Sequence, residues 1–325
     1  MELLDNTRNQ HFISQAEQRQ NAINPNASSR NQKILSFEII DREYYELRNN
    51  GPIKIETSLS IYDLFCFSML DKKEGQFNFE KLFQRYENEV VQHTHSLIRK
   101  VERKDNNVSH ELMFIFIAKF MNFVRNPYSI KKVLNTFPQL LDVHPTDPLI
   151  YQKYEKVLNG RKPQQAALSK ELGISDQQYE QWLRIIFMLL MPIDHSQHFN
   201  FLENTIAGMF NQPETKVGAF LYTYDKPCCL LSDRGYNFYP LGNNQEVWEF
   251  NLNSKAFIRL VLTSLGELLD DLLPEQYLNL VKDMKHDISL YHLHDDSAEL
   301  ANFNRTTVYQ AARYVLSASD VVIGL

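Results

Sequence analysis

A chain of 325 residues with 43% hydrophobic and 12% aromatic content can bury a substantial core, as expected of an ordinary soluble protein of one large or two modest domains. Its formal net charge of -6 argues against broad electrostatic adhesion to nucleic acid or anionic membrane, so any polyanion contact must be a local basic groove. The three cysteines, Cys66, Cys228 and Cys229, form an odd set whose adjacent pair is ill placed for an ordinary bridge, and this fits a reduced cytoplasm.

No cationic region followed by a hydrophobic run opens the chain, so no secretory signal is expected. The most apolar stretches, 112–124 and 184–193, fall short of the roughly 20 residues that span a bilayer and read as buried core helices. The polar arm TRNQHFISQAEQRQN, from residue 7, contains an imidazole beside aromatic and aliphatic side chains, an odd expenditure in a polar segment. It reads as the first strip of a site completed from the far end of the chain.

After the turn NPNASSRN, KILSFEII (33–40) has the content of a strand, and GPIKIET (51–57) is its expected partner. Helices are predicted over 59–70, 79–104, 109–124 and 128–136. In the second, Phe79, Phe83, Tyr86, Val90, Leu97 and Val101 recur at helical spacing on one face. The third is apolar nearly all round, as befits a helix packed between other elements. A Pro-punctuated loop, a further helix and the break NGRKP lead to a helical hairpin over 164–191 and a helix near 197–210. Strands follow in VGAFLYTY, CCLLSD, YNFYPL and KAFIRLVLT, and helices return at 264–271, 274–285 and 296–316. The order predicts one α+β domain over 1–325, with N-terminal arm and strands (1–57), a mainly helical middle (58–212) and a strand-rich then helical end (213–325). Its sheet is expected to be small, mixed or antiparallel, and built from N-terminal and C-terminal strands.

Three stretches bear on chemistry. Glu87 lies four residues after Phe83 and four before Val91, so it edges the apolar face and needs a partner. Arg125 ends its helix just before Asn126 and Pro127, where the guanidinium can turn back towards that carboxylate. Ser232 and Asp233 end a hydrophobic strand, a place from which site residues project.

Together these landmarks resemble the bacterial domain of unknown function 4238 family over nearly the whole chain, from His11 to Ser319. The resemblance is carried by Gln10-His11-Phe12-Ile13, the glutamate helix at Glu87, Arg125-x-Pro127, Ser232-Asp233, and Asn304, Ala311, Arg313, Tyr314 and Val315 in the closing stretch. Ser14 stands where the family usually has proline, and Arg234-Gly235 where an Asn-Pro pair is common. The resemblance implies no reaction.

A histidine near neutral pH, carboxylates that orient it, and arginines that neutralise phosphate are the equipment of a metal-independent ribonuclease. In that reading His11, Glu87 and Asp233 are catalytic, while Arg125, Ser232, Asn304 and Arg313 bind substrate. The same carboxylates with His11 could instead hold a divalent metal that activates water. The expectation is a cytoplasmic bacterial effector of toxin or phage-defence type acting on RNA or DNA, without a membrane partner. Two alternatives stand beside it. One is a non-catalytic interaction protein in which His11, Glu87, Arg125 and Asp233 form a structural network. The other is a DNA-binding protein using the helix-turn-helix-like segment 166–184, although its second helix offers only one basic residue, Arg184, and runs into the apolar IIFMLLM. In HDISLYHLHDD (286–296), His292 and His294 would share a face of a strand, with Asp295 and Asp296 behind, and a solvated turn is the plainer reading. His93 and His95 would point to different faces, Asp194, His195 and His198 take no role, and Cys228-Cys229 reads as core. No glycine-rich phosphate loop is present.

Overall fold

The computed structural model describes residues 1–67, 76–192, 199–212, 215–265 and 288–325. These residues form an α+β fold in which the two ends of the chain meet in one sheet. Strands β2 (Lys33–Asp41) and β3 (Glu46–Lys54) form an antiparallel hairpin. The C-terminal β11 (Tyr314–Ser317) pairs antiparallel with β2 and with β6 (Leu231–Ser232), giving the order β3-β2-β11-β6. The second strand therefore begins before residue 51 and ends before 57, where Ile55–Thr57 turns as a 3-10 helix.

A second, five-stranded sheet has the order β10-β5-β9-β8-β7, from β5 (Thr215–Thr223), β7 (Asn237–Leu241), β8 (Gln245–Asn253), β9 (Ala256–Ser264) and β10 (Ser289–His294). All its pairings are antiparallel except β10 with β5. The sequence reading had no strand at β8, although Val247 to Leu252 are buried throughout. A run buried on both faces lacks the alternation that marks a half-exposed strand.

The helical layer is led by α2 (Glu80–Glu102) and α3 (Ser109–Arg125). On α2, Phe83, Tyr86, Val90, Thr94, Leu97 and Val101 are buried at intervals of three and four, so one stripe faces the core. Helix α3 is buried all round because it lies between α2, α8 (Phe201–Asn211) and the five-stranded sheet. There Phe116 meets Phe210, Trp248 and Phe250 edge-on. Pro127 stops α3, and α4 (Ile130–Thr136) resumes after a 3-10 turn. Among the described residues, no helix is long and apolar enough to cross a membrane.

Two predicted helices are corrected. Residues 60–62 of the expected 59–70 helix form strand β4 (Ser60–Tyr62), which pairs with β1 (Asn9–His11) of the arm. Left-handed backbone at Leu59 (φ 48°) and Asp63 (φ 54°) brackets the strand and rules out helix there. The expected 296–316 helix ends at Gln310 as α9 (Ser297–Gln310), because the chain after it must extend to join β2 as β11. The expected 274–285 helix and nearly all of 264–271 lie outside the described residues, as do Asp194, His195 and His198.

Candidate functional site

The arm is part of the core. Gln10 is fully buried: its Oε1 accepts from the Phe65 N–H at 2.5 Å and its Nε2 donates to Thr7 O at 2.9 Å. Phe12 packs edge-on against Tyr128, and Ile13 is buried. Ser14, at the unusual position, caps the short helix α1 (Gln15–Arg19) by accepting from Glu17 N at 3.1 Å. Antiparallel pairing with β4 thus fixes His11 between two anchored neighbours and turns its ring inward.

His11 is only 6% exposed, and its Nε2 has no hydrogen-bond partner. Burial pulls its pKa below the usual histidine range, and Arg125 adds to this. The opposing pull of Glu87 and of the Ile55 and Glu56 backbone does not offset them. The ring is therefore neutral at neutral pH, with a free nitrogen. The sequence placed Glu87 and Arg125 together, and in the structure Arg125 Nη1 donates to Glu87 Oε1 at 2.7 Å. Arg125 Nη2 donates to Asn122 Oδ1 at 3.2 Å, its plane lies over the Phe83 ring, and its Nε is buried without an acceptor. The Glu87 side chain is 26% exposed and gives the cluster its contact with solvent.

Two further groups complete the cluster. Glu80, two helical turns before Glu87 on α2, is pushed up to about 8 by burial, with Glu87 and Asp5 adding to the shift and Arg125 opposing it. One of its carboxyl oxygens is buried with no partner. Behind Arg125, the buried pair Glu17 and Lys119 is joined by Asn122 Nδ2, which donates to Glu17 Oε2 at 2.8 Å. Burial alone would raise the Glu17 pKa, but Lys119 and Asn122 hold it below the usual carboxylate range. The result is a protonated acid and a neutral imidazole that both lie within electrostatic reach of the Arg125–Glu87 pair, an arrangement suited to acid–base chemistry.

Glu80 has a direct consequence for stability. Above its ordinary 4.5 the unfolded carboxyl is ionised, whereas the folded one keeps its proton until about 8. Folding then takes up a proton, and stability falls as pH rises through that window. Glu80→Gln cannot ionise, so it is expected to melt above wild type near pH 8 and to lose that advantage near pH 4. Thermal melts at the two pH values check this.

The late-strand residues do other work. Asp233 is fully buried, and its Oδ1 accepts from Ala312 N at 2.8 Å while Oδ2 accepts from Arg313 N at 2.7 Å and Tyr314 N at 2.9 Å. Its carboxylate thus clamps the turn from α9 into β11, and the groups that shift the His11 pKa are Glu87 and Arg125. Ser232 Oγ accepts from Gly235 N at 3.0 Å. Gly235 has φ +77°, and a Cβ there would lie 2.7 Å from Ile13, which accounts for glycine after Arg234. Asn304 is buried and bonds the backbone of Leu230, Cys228 and Ile323. Arg313 is half exposed, 3.6 Å from Glu171 and over the Tyr128 ring. Asp233→Asn, which removes one acceptor oxygen from a fully buried side chain that holds three backbone N–H groups, is expected to cost about 1–3 kcal/mol in urea unfolding. A change within error would mean that the clamp carries no stability.

The structure therefore brings together His11, Glu87 and Arg125, and places Asp233, Ser232 and Asn304 in a separate backbone clamp. Glu80, Glu17, Lys119 and Asn122 were missed from the sequence. For Lys119 a signal was there, since it is the single charged residue within the apolar run 112–124.

The other sequence candidates resolve as follows. In the segment 166–184, α6 (Gln165–Leu172), a left-handed Gly173 and α7 (Asp176–Leu190) form the turn. Tyr179, Trp182, Leu183 and Ile185 to Leu190 of α7 are buried, and the exposed start of the helix offers Asp176 and Gln177, a poor face for a DNA groove. His292 and His294 do share a face of β10, where Thr223 Oγ1 lies 2.8 Å and 3.1 Å from them. The described residues hold one group of ligand-type side chains close enough to share a cation, Asp225, His294 and Asp295, all exposed and without His11. No family model, curated protein or solved structure matches the chain, so the family resemblance rests on the residues quoted for it.

Proposed function

We propose that this protein is a hydrolase with an acid–base centre at His11, Glu80, Glu87 and Arg125, and that it cleaves a phosphodiester of RNA or DNA. In this reading it is a cytoplasmic bacterial effector of toxin or defence type. The observation that carries the reading is the set of unmatched buried atoms in one cluster: His11 Nε2, Arg125 Nε and a Glu80 carboxyl oxygen. A network kept for stability alone pairs such atoms, because each orphan costs about 1–3 kcal/mol. Shifted pKa values of opposite direction at His11 and Glu80 support the same reading.

The roles follow from the charge states. Neutral His11 accepts the proton of an attacking water or 2′-hydroxyl, and protonated Glu80 supplies a proton to the leaving oxygen. Arg125, with its free Nε donor, faces the phosphate charge while Glu87 fixes its plane. The interaction-protein reading has one observation in its favour, the saturated hydrogen bonding of Asp233 and Asn304.

The experiment is incubation of the purified chain with end-labelled single-stranded and duplex RNA and DNA, with and without a chelator. Strand scission by wild type, lost in His11→Asn, is expected, and persistence in chelator assigns the metal-independent route. Absence of scission from every substrate, or equal scission by His11→Asn, overturns the proposal.

A further inference from the structure

Away from this cluster, a cavity of about 510 Å³ opens between α3, α4, α8 and the β7–β8 edge of the five-stranded sheet. Its volume lies within the range of small-molecule sites, roughly 300–1,000 Å³. Phe120, Phe123, Phe137 and Trp248 supply ring faces, and Leu202 and Ile206 of α8 close the opposite side. An aromatic wall of this kind is a good surface for a flat or flexible apolar body.

Among the polar groups that line the cavity, the hydroxyls of Thr136, Thr205 and Tyr236 are partnered, and the Trp248 N–H is left without an acceptor. Trp248 is 8% exposed, and its indole N–H is buried with no partner. Lys132 lines the cavity, and among the described residues it makes no ion pair, even with Glu246 on the same lining. Arg234 is close enough to lower the Lys132 pKa, adding to the effect of burial, and Arg234 Nε is itself buried with no acceptor. Its neighbour Asp233, which Arg234 is close enough to influence, already accepts from three backbone N–H groups. An exposed cation, Lys132, and a buried N–H, that of Trp248, thus lie on the lining of a largely apolar cavity, with Arg234 close to Lys132. The buried N–H costs free energy until an acceptor arrives.

We propose that this cavity binds a small amphiphilic anion, its apolar body held among the aromatic rings and its acidic head directed towards Lys132, Arg234 and the Trp248 N–H. The site is independent of the acid–base centre.

Fluorescence titration of the full chain tests this with 1-anilinonaphthalene-8-sulfonate and its uncharged relative N-phenyl-1-naphthylamine. Wild type is expected to bind the sulfonate saturably at one site, with energy transfer that falls in Trp248→Phe while buried Trp182 still reports the fold. Lys132→Glu, at an exposed position that the fold tolerates, is expected to weaken the sulfonate about tenfold, the loss of one charge-assisted contact, and to leave the neutral probe unchanged. Ile206→Trp, which fills the cavity, is expected to abolish both. No saturable binding by wild type overturns the proposal. So does sulfonate binding unchanged in Lys132→Glu, because the cavity would then be apolar without a head-group site.

Discussion

Lys119→Ala is expected to destabilise the protein by about 3–5 kcal/mol, the range for removing one partner of a buried ion pair. Lys119 and Glu17 are 2% and 6% exposed at their side chains, so the carboxylate left behind gains almost no water. Asn122 and Ser14 still reach it, at 2.8 Å and 3.2 Å, but neither carries charge. The double variant Glu17→Gln, Lys119→Met is expected to recover most of the loss, because it removes both desolvated charges. Urea unfolding with a common m-value reads both effects. A cost below about 1 kcal/mol for Lys119→Ala would refute the buried-pair account. The pair also sets a pH dependence. The Glu17 pKa is depressed on folding, so its contribution is present above the unfolded value of 4.5 and is lost as pH falls through the folded one.

His11→Asn is expected to lower the rate of phosphodiester cleavage by about 10²–10⁴, the contribution of a positioned acid or base. Stability should change less, because the imidazole Nε2 has no hydrogen bond to lose and the polar Asn side chain can still bond the Ile55 and Glu56 backbone that the ring meets. That contrast separates a catalytic histidine from a structural one. The proposed mechanism requires His11 neutral and Glu80 protonated, so kcat/KM should rise with a pKa below 6.5 and fall with one of about 8. Glu80→Gln should abolish the alkaline limb together with most of the rate. A variant with unchanged turnover and a melting temperature lowered by many degrees would instead assign His11 to the fold.

Parts of the cluster were legible in the chain itself. Glu87 at the border of an apolar stripe and Arg125 at a proline-limited helix end pointed at each other, because helix geometry fixes both directions once the buried face is known. Asp233 was misplaced for a physical reason: a strand-end carboxylate reads as projecting, yet backbone N–H groups of a segment 79 to 81 residues later consume it. Glu80 escaped because nothing local distinguishes a carboxyl that burial keeps protonated from an ordinary first-turn glutamate. Residues 60–62 were read as helix because their pairing partner lies in the arm, some 50 residues earlier in the chain.

The sequence by itself determined the α+β class, the apolar stripe of α2 and the buried character of α3, since these follow from periodicity and composition within short windows. Only the tertiary structure decided that Glu17 meets Lys119 across 102 residues, that His11 faces Glu87 and Arg125, and that β11 closes the N-terminal sheet. Periodicity reports which face of an element leaves water. The identity of the group waiting on the other side is set by chain topology, and the pKa of each site residue depends on that group.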